Sequence, residues 1–325
     1  MEGNEAMDTD KTFEKKANDN KKRWRKESIA YKIGQSVNYI ILTLLGFVTL
    51  YPFWYILVLS FNTGKDAVRG GIYFWPRVFT LDNYTVAFRN PLIFSSFMIS
   101  VSRVIILILL TVFLTALMAY AFTQKGLPGR RWMLLFFFFP TLFGAGLIPM
   151  FLTYRQFGIL NNYWVLILPS IYNFMYMIIL RTYFYTIPSS LPEAARIDGA
   201  NEFGIFFRIM LPLSMPTLAT IALFTGVNAW NDWFTGLYFL SMRRDLWPAA
   251  TLLRDLIKSV DMVNLDTGTG MDLGAQLELM GTAFTLTPKS IRMAFIIILT
   301  APIIVIYPFL QKYFIKGVMI GSVKE

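Results

Sequence analysis

Apolar positions in this chain fall into long blocks, not into the alternating or one-faced patterns of a soluble fold. The blocks lie at about 37–61, 92–122, 132–154, 163–185, 213–240 and 292–315. Several reach or exceed the roughly 20 residues that a helix needs to cross a bilayer. The pattern predicts an all-α, polytopic membrane protein with six transmembrane helices. The second block is long enough to tilt or protrude. The third holds Pro140, Gly144, Gly146 and Pro149, which predict a kink or break. Tyr51, Trp54 and Tyr55 give the first block the aromatic positions of an interfacial belt.

The polar stretches between the blocks differ in kind. Residues 1–35 form a basic tail, 62–91 a turn-rich loop, 123–131 a short basic loop, 241–291 a long loop and 317–325 a short tail. The segment 186–212 is polar but patterned for helix. Ser190-Leu191-Pro192-Glu193 reads as a capping box, with Ser190 as the cap and Glu193 reaching back. Ala194 to Ile197 continue that helix, and Gly199 can end it in the left-handed conformation. Phe203, Phe206 and Phe207 give a second short helix an aromatic face, and Pro212 stops it. Two short helices at an angle make a knob for a partner's socket. An amphipathic helix resting on lipid is the simpler alternative.

Composition narrows the class. The chain has 325 residues, 55% of them hydrophobic and only 15% charged. The net charge of +10 does not point to nucleic acid, because it is concentrated in the N-terminal tail and beside the apolar blocks. Lys21, Lys22, Arg23, Arg25 and Lys26 head that tail. Excess Lys and Arg in short segments on the tail's side predicts both termini in the cytoplasm. That topology places 186–212 in the cytoplasm and 241–291 outside. No removed leader is expected, since the first block is too long for a signal peptide. With no Cys and no His, disulfides, thiol nucleophiles, imidazole bases and the usual zinc sites are excluded. The spacing of Asp261, Asp266 and Asp272 does not fit a calcium loop, and no metal ligand set is expected. No phosphate-binding Gly-rich loop of the G-x-x-x-x-G-K-[ST] form occurs, so the chain is not expected to bind ATP.

Polar residues inside apolar blocks face a cavity or a partner. The fourth block holds Tyr172, Asn173 and Tyr176; the fifth holds Asn228, Trp230, Asn231, Asp232 and Trp233. Aromatic rings beside amides and a carboxylate suit the apolar faces and hydroxyls of a sugar. The same residues can also hold helices together. Arg103 lies well inside the second block and needs a partner. Pairing with Asp232 or a backbone carbonyl is favoured over attraction of an anionic sugar.

The spacing Glu193-Ala194-Ala195, Gly199, Ile209 and Leu211-Pro212 meets every fixed position of one known signature. By it the chain resembles the EAA-motif permeases of binding-protein-dependent ABC transporters, over almost all of its length after the tail. Arg181-Thr182-Tyr183-Phe184, Asp198-Gly199-Ala200, Ala229 to Phe234, Tyr307 to Phe314 and Lys316-Gly317-Val318 are similar to the carbohydrate-type permeases. The resemblance is greatest to those handling oligosaccharides and complex polysaccharides in Gram-positive bacteria. The ending Lys324-Glu325 departs from that subgroup's frequent Lys-Gly. The resemblance implies a type I ABC-importer transmembrane domain in the cell membrane, spanning 36–316. It implies that 186–212 is a coupling segment seated on a separate ATPase. Glu193 would contact that ATPase, and Gly199 would set the angle between the helices. Ala194, Ala195 and Ala200 would allow close approach, with Asp198 beside the turn. Phe203, Phe206 and Phe207 would fill the socket or anchor to the chain's own spans. The implied partners are a second permease, two ATP-binding subunits holding ATP and Mg, an extracellular substrate-binding lipoprotein, an oligosaccharide and membrane lipid. An ion-coupled secondary sugar transporter is the competing class, and a membrane-embedded enzyme or scaffold a third.

Overall fold

The computed structural model describes residues 29–124, 126–265, 287, 289–302 and 304–305. The basic cluster of the N-terminal tail, Asp266 and Asp272, the end of the sixth apolar block and the C-terminal tail lie outside these residues. The chain divides into two units, one ending at Tyr55 and the next starting at Ile56.

Helix α1 (Ile29–Ser60) contains that boundary. It starts before its apolar block, because Tyr31 and Gln35 extend it with a side-chain hydrogen bond of 3.0 Å one turn apart. Its residues in the first unit are almost all exposed and mostly apolar, among them Ile40, Leu44 and Phe47.

The second unit is helical apart from one isolated bridge between Asn62 and Phe79 among the described residues. Two short helices, α2 (Gly64–Arg69) and α3 (Asp82–Arg89), fold its first loop. Buried Asn83 ties that loop by donating to the carbonyls of Ser60 and Asn62, both at 2.9 Å. Helix α4 (Pro91–Ala121) follows. Asn90 caps it by accepting from the Leu92 amide, and Pro91 occupies its first position, where no donor is lost. The buried positions of α4 recur every three or four residues through Ile93, Ser96, Ser100, Arg103, Leu107, Thr111 and Thr115. Small residues on that stripe let neighbouring helices approach closely.

The third block breaks as expected, into α5 (Arg130–Phe138), a 3-10 turn at Phe139–Leu142 and α6 (Leu147–Gln156). Gly146 carries the break with φ of 80°. The fourth block is not one helix. It runs as 3-10 turns over Tyr163–Ser170 and then as α7 (Phe174–Phe184), bent by 46°. The polar segment forms α8 (Ser190–Ile197) and α9 (Glu202–Leu213), the latter with a π-helical turn at Phe206–Met210. Next come α10 (Met215–Asn231) and α11 (Phe234–Phe239), then α12 (Ala249–Leu265), with α13 over 289–302. The fifth block is therefore divided at Asp232. In the long loop, Leu252 near the start of α12 is buried.

Helix α4 is the mast of this unit and packs most extensively on α10, then on α7. Three apolar layers follow its length. Ile93 joins Val165, Leu166, Phe239, Leu240 and Phe295 near its start. Leu107 meets Ile167 and Ala229 midway. Ala116, Ala119 and Tyr120 meet Met177, Leu180, Phe206 and Ile221 near its end. Among the described residues, two helices are long and apolar enough to cross a membrane, or up to four if each bent pair is one span. The count of six rests on the sequence pattern.

Candidate functional site

The α8–α9 hairpin is built around Gly199. Its φ of 82° lies in the left-handed region that disfavours a Cβ. The Gly199 amide donates to the Arg196 carbonyl at 3.1 Å, and the Ala200 amide to the Ala195 carbonyl at 2.9 Å. This pair of bonds is the Schellman end of a helix. Asn201 opens the next helix by accepting from the Gly204 amide at 2.7 Å. The expected capping box at the start of α8 does not form. The helix begins at Ser190 after Ser189, and no side chain caps it. The Leu191 and Glu193 amides are already bound by the carbonyls of Pro188 and Ser189, so Ser190 Oγ has no first-turn task.

The absence of the capping role leaves Glu193 exposed, as are Ala194, Asp198, Gly199 and Ala200; Ala195 is half-buried. The three phenylalanines separate. Phe206 is buried against Tyr120 at 5.3 Å between ring centres, so it anchors the hairpin to its own unit. Phe207 is half exposed and stacks on Phe113. Phe203 is 68% exposed and Ile197 is 86% exposed, so the tip carries two large apolar side chains on its surface. A cavity of about 540 Å³ lies beneath the hairpin, lined by Tyr120, Gln124, Tyr185, Glu193 and Arg196 among others.

Sequence reasoning did not single out Arg196 and Glu202. Arg196 Nε donates to Glu202 Oε1 at 2.7 Å and its Nη2 to Oε2 at 3.2 Å, closing the hairpin across the glycine. Nη2 also reaches Gln124 Oε1 at 3.2 Å, and the Tyr120 hydroxyl donates to Glu202 Oε2. The hydrogen bond to Glu202 raises the Arg196 guanidinium further above its ordinary value, so it stays charged. The available signal was a basic and an acidic residue flanking a helix-ending glycine.

A second cavity, of about 300 Å³, lies midway along α4. Five of the expected residues line it: Tyr172, Asn173, Tyr176, Asn228 and Asp232. Asn173, Tyr176, Asn228 and Asp232 have structural tasks as well. Asn173 caps α7 by accepting from the Met175 and Tyr176 amides, which explains the bend in the fourth block. Asn228 Nδ2 donates to the Tyr176 hydroxyl at 3.2 Å and joins α10 to α7. Asp232 Oδ1 accepts from the Phe234 and Thr235 amides, ending α10 and starting α11.

Arg103 is 1% exposed and pairs with Asp232, Nη2 to Oδ2 at 2.6 Å. Its Nε donates to the Leu166 carbonyl at 3.1 Å and Nη1 to the carbonyls of Ala229 and Asp232. The expected partner and the expected backbone carbonyls are thus both used. Three expected residues do not line the cavity. Trp230 meets Phe97 edge-on, Asn231 is exposed, and Trp233 lies under the Arg254 guanidinium at 3.7 Å. Trp230 and Asn231 are the last two residues of α10, and Trp233 lies beyond its end. Thr225 was missed. It is buried on the cavity wall, and its hydroxyl has no hydrogen-bond partner among the described residues.

Comparison with known proteins gives the family. The family described as binding-protein-dependent transport system inner membrane component matches residues 25–320. The polygalacturonan/rhamnogalacturonan transport system permease protein YtcP of Bacillus subtilis (strain 168) is 38% identical over 286 residues, 88% of this chain and 96% of the relative. The arabinooligosaccharides transport system permease protein AraQ of Halalkalibacterium halodurans is 31% identical over 293 residues, 86% of this chain and 93% of the relative. Among solved structures, a chain of a bacterial ABC transporter involved in import of the acidic polysaccharide alginate superposes with a TM-score of 0.76 at 27% identity. It covers 88% of this chain and 98% of its own.

Proposed function

The chain belongs to the family of binding-protein-dependent transport system inner membrane components, and we propose that it is one membrane half of an ATP-driven importer of oligosaccharides. The observation that carries this reading is the exposed α8–α9 hairpin, with Glu193, Ile197 and Phe203 on its surface and Phe206 rooted in the unit's own core. Such a knob has no use in an ion-coupled transporter. Among the described residues the only acidic side chain of the mid-depth cavity, Asp232, is held by Arg103, Thr235 and two amides, which disfavours it as a coupling carboxylate.

In this reading, the hairpin seats on a separate ATPase that holds ATP and Mg, and this chain contributes no ATP site. ATP-driven closure of two ATPase subunits moves the hairpin. This chain and a second permease then open outward and accept sugar from an extracellular lipoprotein. Hydrolysis returns them to the inward-facing state. Residues 1–35, 186–212 and 317–325 are cytoplasmic and 241–291 extracellular. Tyr172, Tyr176 and Asn228 supply the sugar path with aromatic faces and amide or hydroxyl contacts, and the orphaned Thr225 hydroxyl supports a hydroxyl-bearing or hydrated guest there. The similar solved structure is of a transporter involved in import of the acidic polysaccharide alginate. Each nitrogen of Arg103 is nevertheless hydrogen-bonded within the chain, which disfavours it for charge recognition.

The test is binding-protein-stimulated ATP hydrolysis by the assembled complex in vesicles. Glu193→Lys and Gly199→Pro should each abolish the stimulation while this chain stays in the membrane. Uptake that persists in both variants, or that needs an ion gradient and no ATPase, would overturn the reading.

A further inference from the structure

The Arg196–Glu202–Tyr120 cluster has a geometry that docking alone does not require. Gly199 joins α8 to α9 through a left-handed turn, and short helices on either side of a glycine have little intrinsic rigidity. Arg196 bridges that turn with two bonds to one carboxylate. A forked guanidinium–carboxylate contact fixes angle as well as distance. The same carboxylate accepts from the Tyr120 hydroxyl, on the last turn of α4. The Tyr120 ring is wedged between Phe184 and Phe206, so this tether is anchored in the core. Gln124, just beyond α4, takes a further bond from Arg196.

Helix α4 has no Gly and no Pro after Pro91. It runs unbroken from Tyr120 to Leu107, about 20 Å at 1.5 Å per residue, and Leu107 and Arg103 line the mid-depth cavity. The hairpin is therefore joined to the cavity wall by a stiff element, with α9 packed on α4 through Phe206 and Phe207 and α8 tied to it through the Glu202 carboxylate and Gln124.

We propose that Arg196, Glu202 and Tyr120 form a strut that converts the α8–α9 hinge into a lever, so that displacement of α8 by its partner is transmitted to α4 and the cavity. These are positioning residues, and the inference rests on the hairpin being the ATPase-docking element. A strut of this kind is separable from docking, because Glu193, Ile197 and Phe203 on the exposed face take no part in it.

The absence of cysteine from the native chain allows a clean reporter. Ser170→Cys places one thiol on the cavity wall, and its modification on this chain can be read by mass spectrometry in the assembled complex. With the strut intact, ATP plus vanadate should change the labelling rate. Glu202→Gln and Tyr120→Phe should retain the ATPase subunits and their basal hydrolysis. They should reduce the nucleotide-dependent change at least about five-fold, the lower end of an ordinary allosteric coupling. Arg196→Gln combined with Glu202→Gln should lose no more than either alone, because both remove one shared contact. An unchanged labelling response in both Tyr120→Phe and Glu202→Gln would overturn the strut. Loss of the ATPase subunits from those variants would also overturn it, since the cluster would then serve docking. Failure of the parent complex to retain an ATPase would count against the docking reading itself.

Discussion

Arg103–Asp232 and Arg196–Glu202 pair the same functional groups at nearly equal distances, 2.6 and 2.7 Å, in opposite surroundings. Arg103 is 1% exposed and Asp232 24%, whereas Arg196 and Glu202 are 39% and 51% exposed. The first pair is surrounded by backbone: three carbonyl contacts on the arginine, two amides and a hydroxyl on the aspartate. The second lies exposed across a glycine turn. The buried pair fixes where helices stop and how they pack. The exposed pair adds little to stability and owes its importance to where it sits. Ion-pair distance alone therefore says nothing of role; burial and the fate of the remaining donors decide it.

The largest effect is expected from breaking the buried pair on one side. Asp232→Ala leaves a desolvated guanidinium without its counter-charge and removes the cap that starts α11. A cost of about 3–5 kcal/mol is expected for such an orphaned charge. It should appear as a strongly lowered thermal midpoint of the detergent-solubilised complex. Replacing both partners, Arg103→Met with Asp232→Asn, should recover much of that loss, because no charge is then left buried. A double variant no more stable than Asp232→Ala would show that the pair is more than a mutual neutralisation.

The buried pair was legible in the sequence because an arginine inside an apolar block must find a partner, and Asp232 was nearly the only acidic candidate in the blocks. The hairpin was legible for a related reason. Gly199 is a backbone signal used as read, in the left-handed conformation, whereas α9 runs through Pro212, which was expected to stop it, and ends at Leu213. The breaks at Asn173 and Asp232 were not legible. Hydropathy averages over a window, while a single amide or carboxylate accepting from two backbone donors can end a helix within it. The outward placement of Trp230 and Trp233 was not legible either. They were grouped with Asn228 as neighbours in one block, and neighbours in sequence do not share one face of a helix. The Arg196–Glu202 contact escaped because it crosses a glycine turn, and the rules for helix-face pairs reach only three or four residues.

An intermediate effect is expected at Gly199, which separates geometry from charge within the hairpin. Nothing lies within 4 Å of a Cβ built there, so Gly199→Ala brings no clash. Its penalty is the left-handed backbone alone, roughly 1–2 kcal/mol. That strain falls on the turn and not on the core. Binding-protein-stimulated hydrolysis should fall while the thermal midpoint moves little. Equal losses of both would mean that the hairpin is part of the folding core, and the contrast between the two pairs would fail.

The smallest stability effect is expected from Arg196→Gln. Both partners are more than a third exposed, and an ion pair in such a setting is screened and typically contributes about 0–1 kcal/mol. Glu202 keeps the Tyr120 hydroxyl as a donor, so the carboxylate is not left unsatisfied. The thermal midpoint of Arg196→Gln should therefore stay close to that of the parent in low salt and in high salt alike, while Asp232→Ala is destabilised in both. Only the parent's hairpin retains a contact that added salt can weaken. Raising ionic strength should bring its nucleotide-dependent labelling toward that of Arg196→Gln. A midpoint loss in Arg196→Gln as large as that in Asp232→Ala would show that exposure does not distinguish the two pairs.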